Sequence, residues 1–375
     1  MEKVIDMKKI IVMPDSFKNT MSSGTVCEII KETLLEEDDN LNVQTYELAD
    51  GGEGTGVILS KYLDLEMLEL DSVNAFNKKI TVKCGSNGEI AAFDVASVVG
   101  FDANEGEKLN PSIATTFGIG VIIKKLIELG HKKIYIGLGG SITNDLGLGM
   151  MNALGIKFYN NKEEIYPRGY NMGDITNINI DDLVQFDGEI ICLSDVKSPL
   201  FGPTGAAMMF AKQKGATDEM IVELEEDAKK VVRVIKNVID ERSSESGSGA
   251  AGGLGFAFKT FMNAEMKSGI DEIISISKVT DNIEEDDIII TGEGKFDDQS
   301  LQGKVISGII NIAEIKKARV LVVAGYSEIE SIKGIEKIFS CTDRILDIKE
   351  LKKTCVINLK QAVKKIYEYL EKIGI

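Results

Sequence analysis

Apolar positions along this chain fall into two alternating rhythms. Short runs of β-branched residues recur, each followed by a Gly-rich or charged turn and then by a segment whose apolar positions return every third or fourth residue. That alternation predicts strand-turn-helix units and, over the whole chain, an α/β fold with largely parallel sheets. Lys9 to Met13 (KIIVM) reads as a buried strand leading into the turn PDSFKNTMSS. Behind Ser22 as N-cap, Val26, Ile29, Ile30, Thr33 and Leu34 then keep helical spacing. Val43 to Ala49 reads as a second strand, with the turn DGGEGT and a helix carrying Val57, Ile58 and Tyr62. Gly118 to Leu129 predicts a helix closed by Gly130 that feeds the strand Lys133 to Gly137. Glu189 to Leu193, Asp287 to Thr291 and Ala318 to Ala324 are the remaining clear strands.

Two longer features interrupt this rhythm. The stretch SDVKSPLFGPTGAA holds two prolines and two glycines, which exclude regular structure there. From Thr217, the residues Ile221, Leu224, Ala228, Val231, Val232, Ile235, Val238 and Ile239 form one apolar stripe, read as core packing and not as a partner surface. SSESGSGAAGGLG then breaks the helix as either a linker or a backbone cradle. Leu359, Ala362, Val363, Ile366, Leu370 and Ile373 mark a closing amphipathic helix, and the acidic runs at Glu36 and Glu284 read as solvated turns.

Composition narrows the function classes. With 43% hydrophobic and 27% charged residues among 375, the chain has ample apolar area for cores, and its length suggests two or three domains. Disorder, collagen and a disulfide scaffold are excluded. Lys plus Arg number 43 against 60 Asp plus Glu, a formal charge of −17 that disfavours nucleic acid and anionic membranes as partners. An anionic substrate would therefore need local lysines, helix N-termini or a divalent cation. Five widely spaced cysteines without a CxxC pair argue against zinc and disulfides and for a reducing, cytoplasmic setting. No run approaches the roughly 18 apolar residues of a membrane span. The single histidine, His131, excludes every His-pair mechanism and is itself read as a solvated turn residue after Gly130.

In a parallel sheet, ligands gather beyond the carboxyl ends of the strands, and here those turns carry the chemistry. PDSFKN, ADGGEGT, GLGGSITND, SDVKSP and TGEGKFDDQS bring glycines, lysines, hydroxyls and carboxylates to strand ends. Glycine admits a phosphate to the backbone N–H, although any one such turn alone also reads as a plain strand-to-helix connection. GxxxxGK[ST] is absent, and the GxGxxG spacing at Gly247, Gly249 and Gly252 follows a helix where the dinucleotide fingerprint needs a strand. The acids Asp15, Asp50, Glu53, Asp145, Asp195, Glu293, Asp297 and Asp298, with Lys18, Lys197, Lys295 and Lys304, form the set that phosphoryl transfer uses.

From PDSFKNTMSS through ADGGEGT, GLGGSITNDLGLGM, PLFGPTGAA, GAAGGLGFA and TGEGKFDDQSLQGKV, nearly the whole chain resembles the bacterial-type glycerate kinases of the first class. The resemblance implies ATP- and Mg²⁺-dependent phosphorylation of D-glycerate, usually at the 2-position. It also implies a Rossmann-like domain formed from both chain ends (1–62 and 286–375), an inserted α/β domain (63–285), and an active site in the cleft between them. Lys197-Ser198 and Asn19 depart from the family pattern, which bears on substrate detail and not on reaction class. On the matching positions Asp195, Lys295 and Asp297 are expected to be catalytic, Asp195 as the base; Asp195, Glu293 and Asp297 are expected to hold metal. Gly139, Gly140, Ser141 and Thr143 with Gly249, Gly252 and Gly253 are expected to cradle the ATP phosphates through their N–H groups. Ser16, Lys18, Asp50, Gly51 and Gly52 are expected to bind the acid. A monomer or homodimer is expected, and the alternatives are a kinase of another small hydroxy acid or a non-catalytic nucleotide or sugar-acid sensor.

Overall fold

The computed structural model describes residues 8–375 except 19, 162, 298–299 and 301–304. In chain order the first strands are β1 (Ile10–Val12), β2 (Val43–Thr45), β3 (Glu66–Val73), β4 (Lys79–Ser86), β5 (Ile90–Asp94), β6 (Lys133–Gly137) and β7 (Lys157–Asn160). They continue as β8 (Glu163–Ile165), β9 (Asn177–Asn179), β10 (Glu189–Leu193), β11 (Glu265–Lys267), β12 (Ile288–Phe296), β13 (Arg319–Ser327) and β14 (Lys337–Ser340).

The chain divides into two compact units, 1–50 with 270–375 and 51–269. Both ends of the chain build the first, whose bounds differ from the expected ones at 62 and 286. The helix Thr55–Tyr62 belongs to the second unit because it packs on β4, β5 and β6. The segment from Ile270 belongs to the first.

The first unit is a parallel sheet in the order β14-β13-β12-β1-β2. β1 and β12 are wholly apolar where they pair, Ile10 with Ile288 and Val12 with Ile290, because helices cover both faces of a parallel sheet. One such helix is Ser23–Glu37, whose N-cap Ser22 accepts the Thr25 N–H as its sequence predicts. Another is the closing helix Ile348–Lys372, buried along Leu359, Ala362, Val363, Ile366 and Leu370. β12 is longer than its apolar run. It continues through Glu293 and Lys295 to Phe296, since β13 pairs with it as far as Ser327, so TGEGKF is strand and not turn.

The second unit holds a mixed sheet ordered β11-β10-β6-β5-β4-β3 and a small antiparallel sheet β8-β7-β9. The helix Asp218–Ile235 buries the predicted stripe from Ile221 to Ile235, but Val238 lies beyond its end and is 41% exposed. His131 also departs from expectation. It is buried at 3% exposure, with Nδ1 against the Leu126 carbonyl oxygen at 2.9 Å and Nε2 against Ser86 Oγ at 2.7 Å. The helix end preceding it needs a polar partner for its last carbonyls, and the imidazole supplies one. Among the described residues no helix is long and apolar enough to cross a membrane.

Candidate active site

In the first unit β1 connects to β2 on one side while β12 leads to β13 and β14 on the other, so the strand order reverses between β1 and β12. That switch point opens a crevice at the carboxyl ends of the strands. A cavity of about 360 Å³ lies there, with Asp15, Ser16 and Lys18 from the loop after β1 and Glu293, Lys295 and Asp297 from the end of β12 in its lining. The loop is fixed by backbone bonds: Asp15 N–H donates to Gly292 O at 2.9 Å, and Phe17 and Met21 exchange bonds at 2.9 and 3.0 Å.

Charges here oppose one another closely. Asp15 is pushed up to about 7, chiefly by burial and then by the Asp50 carboxylate, with the Ser16 N–H bond at 2.7 Å working the other way. Lys18 Nζ stands 3.5 Å from Asp50 and is raised above the usual lysine value mainly by that charge. Lys295 Nζ lies 2.9 Å from Glu328 and 3.0 Å from Asp297, and these hydrogen bonds raise it too. Ser16, Lys18, Asp50, Glu293, Lys295 and Asp297 are therefore all in one unit; Asp298 and Lys304 lie outside the described residues.

Asp195, Gly51, Gly52 and both glycine loops belong to the second unit. Asp195 follows β10 in an irregular loop, half-buried, with Oδ1 accepting the Gly269 N–H at 3.2 Å. Gly51 adopts φ +85°, and a Cβ there would stand 2.6 Å from Leu193 O. The two glycine loops do come together: Leu146 N–H donates to Gly252 O at 3.1 Å.

The cradle, however, is partly closed on itself. The N–H groups of Gly139 and Gly249 donate to Gly51 O and Ser198 O, both at 3.0 Å. A side chain at Gly249, Gly252 or Gly253 would collide with Pro199 O, Thr143 O or Leu146 Cα. The protein's own backbone, approaching closely, is by itself enough to demand glycine at these positions. Ser141 is 6% and Thr143 0% exposed, while Gly140 is exposed at φ +80°. SSESGSGAAGGLG is consequently no linker, with Ser248 fully buried.

Asp145, read from sequence as a site acid, is structural. It is fully buried and accepts Thr116 N and Oγ1 at 2.8 and 2.9 Å, Gly147 N at 3.1 Å and Gly149 N at 3.3 Å. Sequence reasoning missed Lys214, in the KQKG segment before the long helix. It is 3% exposed, and its Nζ donates to Thr143 O at 2.7 Å and Ser141 Oγ at 3.1 Å, tying down the loop after β6. Burial lowers it to about 7, with Asp145 opposing. No local pattern distinguishes it from a surface lysine.

The expected metal ligands fall in both units. Asp195 is in the second unit, Glu293 and Asp297 in the first, and among the described residues no three His, Cys, Asp or Glu are placed to hold an ion.

Sequence comparison extends the picture beyond these loops. A profile of the family described as Glycerate kinase family matches residues 10–371. This chain belongs to the glycerate kinase family. It is therefore a phosphotransferase with an alcohol group as acceptor. It is 32% identical over 372 residues to the glycerate 2-kinase of Escherichia coli strain K12, covering 96% of this chain and 97% of that one. It is 32% identical over 379 residues to the glycerate kinase of Bacillus cereus strain ATCC 10987, with the same coverage of 96% and 97%. The crystal structure of a protein assigned as glycerate kinase 2 from Salmonella typhimurium LT2 superposes with a TM-score of 0.82 at 28% identity, over 98% of this chain and 99% of that one. The kinase family thus spans both units, including every strand-end loop described above.

Proposed function

We propose that this protein transfers the γ-phosphoryl group of ATP to a hydroxyl of D-glycerate, giving 2-phosphoglycerate with Mg²⁺ as the accompanying cation. The observation that carries the reading is family membership across 10–371, with relatives that include a glycerate 2-kinase matched over nearly their whole length. Mg²⁺ is ordinarily held by one or two carboxylates together with substrate phosphates and not by an all-protein cage. Glu293 and Asp297, hard oxygen donors lining the cavity of the first unit, would hold it. Bound there it would offset the triphosphate charge.

The chain's own groups then divide the remaining work. Lys18, with a side chain 69% exposed, is the cation offered to the glycerate carboxylate. Gly140 is the exposed part of the expected phosphate cradle. Asp195 is the base that accepts the hydroxyl proton, its Oδ1 oriented by the Gly269 N–H. The test is ADP release by purified protein with ATP, Mg²⁺ and D-glycerate, with the product assigned by phosphorus NMR. No glycerate-stimulated release by folded protein, together with silence toward other small hydroxy acids, would remove the kinase reading; a 3-phosphorylated product would correct the position alone.

A further inference from the structure

The cavity at the β1–β12 switch point is larger than a three-carbon acid requires. At about 360 Å³ it falls within the range of small-molecule sites, roughly 300–1,000 Å³. Its lining changes character along the sheet. The acids and lysines come from β1 and β12, whereas the wall beyond β13 and β14 is built from Cys341, Leu351, Cys355 and Asn358 and carries no charge. Leu351, Cys355 and Asn358 are spaced four and three residues apart on the closing helix, so they share one face of it. Asn358 Nδ2 donates to Thr354 Oγ1 at 3.2 Å, which orients the amide.

We propose that this uncharged wall seats the nucleoside of the phosphoryl donor, the purine lying against Leu351 and Cys355 with its edge read by the Asn358 amide. The inference rests on the kinase reading in taking the ligand to be ATP. An amide sets a donor beside an acceptor, which matches the N6–H and ring nitrogen of adenine. Charge selects the same part of the molecule. Asp15, Glu293 and Asp297 line the cavity, and its two lysines already oppose Asp50, Asp297 and Glu328, so the uncharged wall takes a neutral nucleoside without any counter-charge, whereas the triphosphate needs the cation held by Glu293 and Asp297. Ribose hydroxyls donate to carboxylates, as in other sites at such switch points.

Adenosine, which carries no phosphate, is the probe. Cys355 is half-buried in the wall, so its alkylation, located to its own peptide, reports on access to that wall. Adenosine at calorimetric saturation should slow iodoacetamide labelling of Cys355, read by peptide mass spectrometry. Asn358→Leu and Leu351→Trp should each raise KM for ATP by about 10-fold, the worth of one good polar contact, with no matching rise in KM for glycerate. No adenosine binding, binding without protection of Cys355, or a rise in glycerate KM instead would overturn the assignment. Because labelling needs no turnover, protection by adenosine without any glycerate-dependent ADP release would support the subsite and sink the kinase reading alone; turnover without protection would do the reverse.

Discussion

Replacing Lys214 with methionine separates the buried amine's charge from its bonds. The side chain is 3% exposed, and burial lowers its pKa from 10.5 to about 7. That difference of 3.5 units corresponds to about 5 kcal/mol of penalty for holding the ammonium inside. The sign follows from proton counts. Below pH 7 both states carry the proton and the whole penalty applies. Between pH 7 and 10.5 the unfolded chain binds a proton that the native state has released, so stability rises with pH by about 1.4 kcal/mol per unit. Methionine keeps the apolar stem and titrates nowhere. It also removes the donors to Thr143 O and Ser141 Oγ, a cost of about 1–3 kcal/mol for each buried group left unpaired. At pH 6.5 the relieved penalty and the lost bonds oppose each other and the variant should be nearly as stable as the parent. From pH 7 to pH 9 the comparison should move by about 2 kcal/mol in favour of the parent, since the amine is already half titrated at pH 7. The chain has no tryptophan, so urea unfolding followed by circular dichroism is the assay. Parallel stability profiles across this range would refute the reasoning, because they would mean Lys214 keeps its proton in the folded protein.

Three further substitutions probe the site. Gly252→Ala places a Cβ against Thr143 O at a φ of +70°, and should cost about 3 kcal/mol in unfolding free energy; unchanged stability would mean the two loops are not in register as described. Asp195→Asn keeps an oxygen for the Gly269 N–H but cannot take a proton, so kcat should fall about 100-fold with ATP and glycerate KM little changed, measured by coupled ADP release; retention of more than about a tenth of kcat would pass the role to another acid. Lys18→Ala should raise KM for glycerate more than KM for ATP, and an effect confined to ATP would reassign the lysine to the phosphates.

Much of the architecture is written locally. The runs KIIVM and DIIIT are too apolar for any place but a doubly covered strand, and Ser22 precedes a helix-period segment it can cap, so both can be read without tertiary information. The acids and lysines of the first unit were legible for a related reason: a strand end in a parallel sheet exposes whatever the following turn contains. Glu293 and Lys295 were found that way, though as turn residues. Only pairing with β13, set far along the chain, extends the strand beneath them.

What the sequence determined alone was the class of those elements whose period it marked and the residue types offered at strand ends, because periodicity and turn chemistry act over a few residues. The tertiary structure decided what those residues touch. Gly249, Gly252 and Gly253 look the same in sequence whether a phosphate or another backbone approaches them, and only the fold shows Pro199, Thr143 and Leu146 in that space. Asp145 reads in sequence as a strand-end site acid and Lys214 as an ordinary surface lysine until the chain buries them among Thr116, Ser141 and Thr143. His131 likewise reads as a surface turn residue and becomes the buried partner of Ser86 and Leu126. Burial and hydrogen-bond partnership are set by contacts between segments tens of residues apart, and local pattern carries no record of them.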